Sequence, residues 1–223
     1  MRNANETVFP PCNLYSDSCI GASNFENQAA GQRFTVDTSG ILTTMEVTID
    51  TAFGGDDLIV SIHESDGAGF PGALIATTVI PEAMVAPNIV NDGLSVFDLS
   101  DLGVALQANV EYVATFQVEI PNSGSRYRAF RTAINVNSFG FPSLFSRDGG
   151  IVWENSSAEP EIGMTLFVAN AGDLNGDGVL NLLDVGPFID ALGLGTYVLE
   201  ADTNFDGVLN LLDVGPFIDL LGS

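Results

Sequence analysis

The sequence predicts a mainly β chain: an antiparallel β-sandwich over residues 30–170 and a small all-α module over 171–223, after an N-terminal extension, 1–29. Three observations predict it. Between Phe34 and Ala169, short runs of alternating polar and apolar residues are punctuated by Gly, Pro, Asn and Asp, and no stretch has helical periodicity. Beyond Ala169 the alternation stops, and one segment of loop-forming residues with an apolar tail is written twice. Hydrophobic residues are 46% of the 223, enough to bury a core despite a formal net charge of −23.

In chain order, the extension comes first. Met1 to Glu6 lacks the apolar core of a signal peptide, so the expectation is that an export signal is absent from this chain or was never there. Cys12 and Cys19 are the only cysteines, too few for a disulfide scaffold or a four-thiolate zinc site. Their spacing admits a small disulfide loop or two free thiols, and a secreted setting favours the disulfide. The clearest strands are 45–51, 58–63, 73–80, 110–118 and 162–168, with weaker ones around Phe34, Val96, Ala129 and Val152. Eight or nine such strands fill two antiparallel sheets. Turn chemistry flanks the strand at 58–63: Gly54, Gly55, Asp56 and Asp57 on one side, Ser65 to Gly72 on the other.

The charge excludes whole classes of function. There are 29 acids against six basic residues, all Arg, with no Lys. Such a chain repels phosphate backbones and anionic lipid, so neither nucleic acid nor a membrane surface is an expected partner. No apolar run reaches the ~18 residues of a membrane span. A single histidine, His63, leaves little for histidine-based metal or triad chemistry. It alternates with Ser61 on the face opposite Ile62 and reads as a surface or hydrogen-bonded strand residue.

The C-terminal duplication has an offset of 29 residues and preserves nearly every letter. Each copy places side-chain oxygens at positions 1, 3, 5, 9 and 12 of a loop: Asp173, Asn175, Asp177, Asn181 and Asp184, then Asp202, Asn204, Asp206, Asn210 and Asp213. Position 7 is Val179 or Val208, whose carbonyl can coordinate whatever the side chain, and position 6 is Gly178 or Gly207, where the chain turns sharply. An all-oxygen set of six to eight donors suits a hard cation, and calcium over magnesium, which retains its waters. Two calcium ions are therefore expected. Three carboxylates crowded into one loop repel one another without a cation, so the module should fold on binding.

No helix enters the first loop, and position 12 is Asp rather than Glu. A loop followed by a helix, duplicated at a C-terminus, resembles a type I dockerin over Gly172 to Gly222. The resemblance implies a plug-in module that docks on a cohesin domain and attaches its cargo to an extracellular assembly. The positions matching the family's recognition residues are Leu182, Leu183 and Ile189 in the first copy and Leu211, Leu212 and Ile218 in the second. Their near identity implies docking in either of two orientations. The other reading places at least half of these residues, with Phe188 and Phe217, in the core between the helices. Pro187 and Pro216 inside the expected exit helices predict a kink or a restart there. That departure leaves two partners open, a cohesin-like domain or the chain's own sandwich.

The segment 30–168 resembles β-sandwich domains of secreted bacterial surface proteins and, broadly, carbohydrate-binding jelly rolls, mostly through turn and core residues. Arg126, Tyr127, Arg128 and Arg131 cluster with Phe130, and Trp153 is the only tryptophan. Exposed aromatics and planar guanidinium groups suit a sugar-binding face. The competing reading pairs these arginines with the abundant acids and buries Trp153. The expected function is a secreted or cell-surface, non-catalytic binding or scaffold protein. The alternative is a dockerin-bearing polysaccharide-degrading enzyme, a glycoside hydrolase or lyase, using two carboxylates from a supply that includes Glu64, Asp66, Glu111 and Glu119.

Overall fold

The computed structural model describes residues 19–22, 27–53, 56–87, 94–120, 126–129, 141, 143–155, 162–195 and 197–222. The chain is mainly β, with antiparallel sheets and two short helices at its C-terminal end. It divides into two compact units.

The first unit draws on the chain up to Phe34, on Val47–Ser95 and on Tyr112–Met164. Its larger sheet is antiparallel throughout, in the order β12 (Glu154–Asn155), β11 (Leu144–Ser146), β2 (Asn27–Phe34), β9 (Tyr112–Val118), β4 (Leu58–Ser65) and β5 (Pro71–Ile80). Register aligns Leu144, Gly31, Thr115, Ser61 and Thr77 in one row across five strands. Alternation explains β4: Leu58, Val60 and Ile62 are buried, while Ile59, Ser61 and His63 are only half covered. Central β9 buries Tyr112 to Phe116 without a break, so it is covered on both faces. The ring of Tyr112 stacks on that of Phe34 at 5.7 Å.

The first two residues of β2 also pair with β1 (Cys19–Ala22), which continues through β10 (Arg126–Ala129) to β3 (Gly40–Phe53) and the short parallel β6 (Ala86–Pro87). In this second sheet the register sets Asp50 opposite Arg128. The five strong strand expectations all fall on strands, with β9 and β13 (Met164–Asn170) each starting two residues later than expected.

The second unit comprises Thr35–Glu46, Val96–Glu111 and Thr165–Ser223. Here the start of β3 pairs with β8 (Ala105–Leu106), with β13 beside β3, and Leu42 N donates to Val104 O at 2.9 Å. Ile41, Leu42, Met45, Leu99, Val104 and Leu106 are buried here. Gly40 is required: a Cβ there would lie 2.1 Å from the Ala169 carbonyl oxygen. The repeat supplies α1 (Val185–Leu194) and α2 (Val214–Leu221), one after each loop.

Candidate metal centre

Each repeat folds its loop by turning side-chain oxygens onto its own amides. In the first, Asp173 accepts from the amides of Gly176, Asp177 and Gly178 at 2.9, 3.2 and 2.8 Å. Asp184 accepts from Asn175 and Asn181 at 3.1 and 2.8 Å, so the last carboxylate closes the loop over its third and ninth positions. The second repeat matches it: Asp202 accepts from Asp206 and Gly207 at 3.2 and 2.8 Å, and Asp213 from Asn204 and Asn210 at 3.2 and 2.8 Å. Gly178 and Gly207 have φ of +86° and +80°, a left-handed turn open to glycine without strain. In both loops the ninth-position Asn side chain donates to the seventh-position carbonyl, Asn181 to Val179 and Asn210 to Val208.

Burial and charge define what these loops need. Asp184 and Asp213 have no exposed surface and Asp202 is 2% exposed. The second unit holds 14 of the 29 acids and no Arg, Lys or His. A buried carboxylate needs a cation or a full set of donors, and no basic side chain of its own unit can supply the cation. Among the described residues no three Asp, Glu, His or Cys side chains gather into a cluster that could hold a metal ion, the loop carboxylates being bonded to amides instead. A carboxylate has about four acceptor sites, so these bonds leave capacity for an ion. The donor set of each loop, three carboxylates, two amide oxygens and a carbonyl, fits a hard divalent cation.

The helices that follow bury little. Phe188 and Phe217 stack face to face at 4.0 Å and 3°, and with Ala191 and Ala201 they form the buried centre of the module. The six apolar positions matched to partner recognition lie outside it. Leu182 and Leu211 are each 80% exposed, Leu183 and Leu212 69% and 68%, and Ile189 and Ile218 60% and 59%. The core reading thus holds for the two phenylalanines and fails for these six; other apolar side chains, among them Leu180, Leu192, Leu209 and Leu221, pack around the stacked rings. The kink or restart expected at the prolines is also corrected, since the helices start two residues earlier, at Val185 and Val214. Pro187 and Pro216 are the third residues of α1 and α2, in a first turn whose amides have no intrahelical acceptor, so neither interrupts its helix. Leu182 and Leu183 precede α1 in a turn, and Leu211 and Leu212 lie in the 3-10 turn Leu211–Asp213.

In the first unit, Tyr127 is fully buried and its hydroxyl donates to the Asp56 carbonyl, which corrects its expected place on an exposed sugar-binding face. Burial first, and then the charges of Glu82, Asp57 and Asp56, push that hydroxyl's pKa up. Trp153 is half-buried, with Nε1 donating to Gly150 O at 2.9 Å, and its ring closes over Gly31. The side chains of Arg126 and Arg128, and all of Arg131, lie outside the described residues, as do Cys12 and the Cys19 side chain. His63 is the hydrogen-bonded strand residue expected: Nε2 is 3.2 Å from the Thr115 hydroxyl and Nδ1 3.4 Å from the Gly72 carbonyl. Burial lowers its pKa, partly offset by that carbonyl. Asp66 shapes its own turn by accepting from the amides of Phe70 and Ala68, bonds that lower its carboxyl's pKa from the ordinary value.

Two residues outside the sequence expectations touch the loops. Tyr197 donates to Asp202 Oδ2 at 2.9 Å and Thr203 to the Asp213 carbonyl at 2.7 Å. The signal lay in the places where the second copy departs from the first, with Val168 and Leu174 at the corresponding positions. No protein-family model matches the chain, and no curated protein matches it.

Proposed function

We propose that the chain is a secreted or cell-surface, non-catalytic binding protein whose C-terminal repeat is a dockerin-like module. It binds two calcium ions, through Asp173, Asn175, Asp177, Val179, Asn181 and Asp184 in one loop and Asp202, Asn204, Asp206, Val208, Asn210 and Asp213 in the other. The observation that carries this reading is the burial of Asp184, Asp202 and Asp213 in a unit without a basic residue. Calcium supplies the missing countercharge.

The module docks on a cohesin-type partner through Leu182, Leu183 and Ile189 or through Leu211, Leu212 and Ile218. Support comes from their pairwise-equal exposure, which presents the same apolar face twice. The strands ahead of the repeat form a jelly-roll-like β-sandwich that carries a carbohydrate or another surface ligand. β2, which pairs into two sheets, supports a fold in which one strand joins both layers.

The test is capture of the full chain by immobilised cohesin domains in calcium and in excess chelator, alongside a glycan array and a reducing-sugar release assay. Calcium-dependent capture with glycan binding and no sugar release is the expected result. Capture that is absent in calcium, or unchanged by chelator, overturns the docking reading, and sugar release overturns the non-catalytic one.

A further inference from the structure

We infer that the two calcium loops are unequal, and that the hydroxyls of Tyr197 and Thr203 are positioning groups that make the second loop bind its ion more tightly and release it more slowly. The inference rests on the calcium reading above and adds an order of filling to it.

The two loops share their internal bonds almost one for one, so the difference must come from groups outside that pattern. At position 1, Asp173 takes its third bond from Gly176, a loop amide that moves with the loop. Asp202 instead takes its third bond from Tyr197, five residues upstream. That hydroxyl belongs to a residue outside the loop, and Asp202 is the more deeply buried of the two carboxylates. At position 12, the Thr203 hydroxyl donates to the Asp213 carbonyl at 2.7 Å, tying the second residue of the loop to its last. The first loop has Leu174 there and Val168 at the place of Tyr197, and neither carries a hydroxyl.

The second loop is thus clamped at its first and last ligand residues before any ion arrives. Outer donors that orient a ligating carboxylate typically change metal affinity by about 10- to 100-fold. The left-handed Phe205, at φ 59° where the first loop has Gly176 at 72°, opposes this with backbone strain. The clamp has to outweigh that strain for the second loop to fill first.

The test uses the full chain and resolves the loops separately. The amides of Gly178 and Gly207 each donate to their loop's first carboxylate, at 2.8 Å in both, so their NMR signals report the loops one at a time. During a calcium titration Gly207 is expected to saturate first, and chelator-driven release to show a slow phase. Tyr197→Phe and Thr203→Val each remove a hydroxyl while keeping the side chain's shape. Each is expected to shift the Gly207 midpoint to higher calcium and to speed the slow phase, Tyr197→Phe by about tenfold because its hydroxyl bonds a ligating carboxylate, with the Gly178 midpoint unmoved. A loss of packing alone would move both glycines. Equal midpoints in the unaltered chain, or variants that shift both loops or neither, overturn the inference. Neither glycine responding to calcium overturns the calcium reading itself. If one variant fails to fold, the other carries the test.

Discussion

Withdrawing calcium from the full chain is the most direct perturbation, and its size follows from the burial of the loop carboxylates. Each loop holds three, and Asp184, Asp202 and Asp213 are buried in a unit with no basic residue. An uncompensated buried charge costs several kcal/mol, so chelation should melt the module rather than loosen it. With free calcium a hundredfold above Kd, each site contributes about 2.7 kcal/mol, and two contribute about 5 kcal/mol. For a unit of this size each kcal/mol moves Tm by about 4–8 °C, so chelator should lower the melting of the second unit by about 20 °C or more. Scanning calorimetry with calcium, with chelator and with sodium chloride at matched ionic strength separates binding from screening of the acids. A shift of less than about 2 °C between calcium and chelator refutes the reasoning. So does sodium chloride reproducing the calcium effect.

Three further outcomes follow from individual side chains. Phe217→Ala removes one of two stacked rings from a core with four buried residues and should cost the module about 3–5 kcal/mol in chemical denaturation with calcium present. On the proposed docking, Leu182→Asp or Leu211→Asp alone should leave cohesin capture within a few-fold, because the other copy would remain intact, while the double variant should abolish capture with unchanged circular dichroism. His63 should titrate by NMR below its ordinary value of 6.5, because burial lowers it. The unfolded chain then takes up its proton first as pH falls, so stability declines from pH 6.5 downward, and His63→Gln should reduce the difference in stability between pH 7.5 and 5.5.

Local pattern was enough wherever one strand or one loop decides the outcome. Alternation located β4, and the spacing of Asp and Asn located both loops, because each depends on residues a few positions apart. The misplaced residues depend on distant partners or on the end of an element. Tyr127 reads as an exposed aromatic among arginines, yet its burial comes from strands far away in sequence, including its register partner Thr51. The prolines read as sites of a kink or restart because they were placed inside the expected exit helices. Asn210 and Asp213 instead bond reciprocally to each other's end of a 3-10 turn, which delays α2 to Val214 and leaves Pro216 in its first turn. The apolar face was legible as a set of residues but not as a surface. Leu182 and Leu211 are exposed because the module's core is filled by other residues, Phe188 and Phe217 with the apolar side chains packed around them.

Acidity and ion demand are separate properties in this chain, and burial tells them apart. Eight of the 14 acids in the second unit lie outside the loops, and none of them is buried. Water reaches those carboxylates, so their charge demands no bound ion and contributes solubility. Among the described residues the buried acids are Asp50, Asp184, Asp202 and Asp213. Asp50 belongs to the first unit, where the register sets it opposite Arg128. The other three are loop positions with no such neighbour in their unit. Two divalent ions would offset four of the six loop charges, including those that water does not reach. On the calcium reading proposed above, the demand for an ion comes from the buried Asp184, Asp202 and Asp213 and not from the net charge of −23. Asp213→Asn, which keeps the shape of the side chain and removes its charge, should make the second loop less dependent on calcium for folding while weakening its binding. Asp219→Asn on the exposed face of α2 should change neither, since that charge is already solvated.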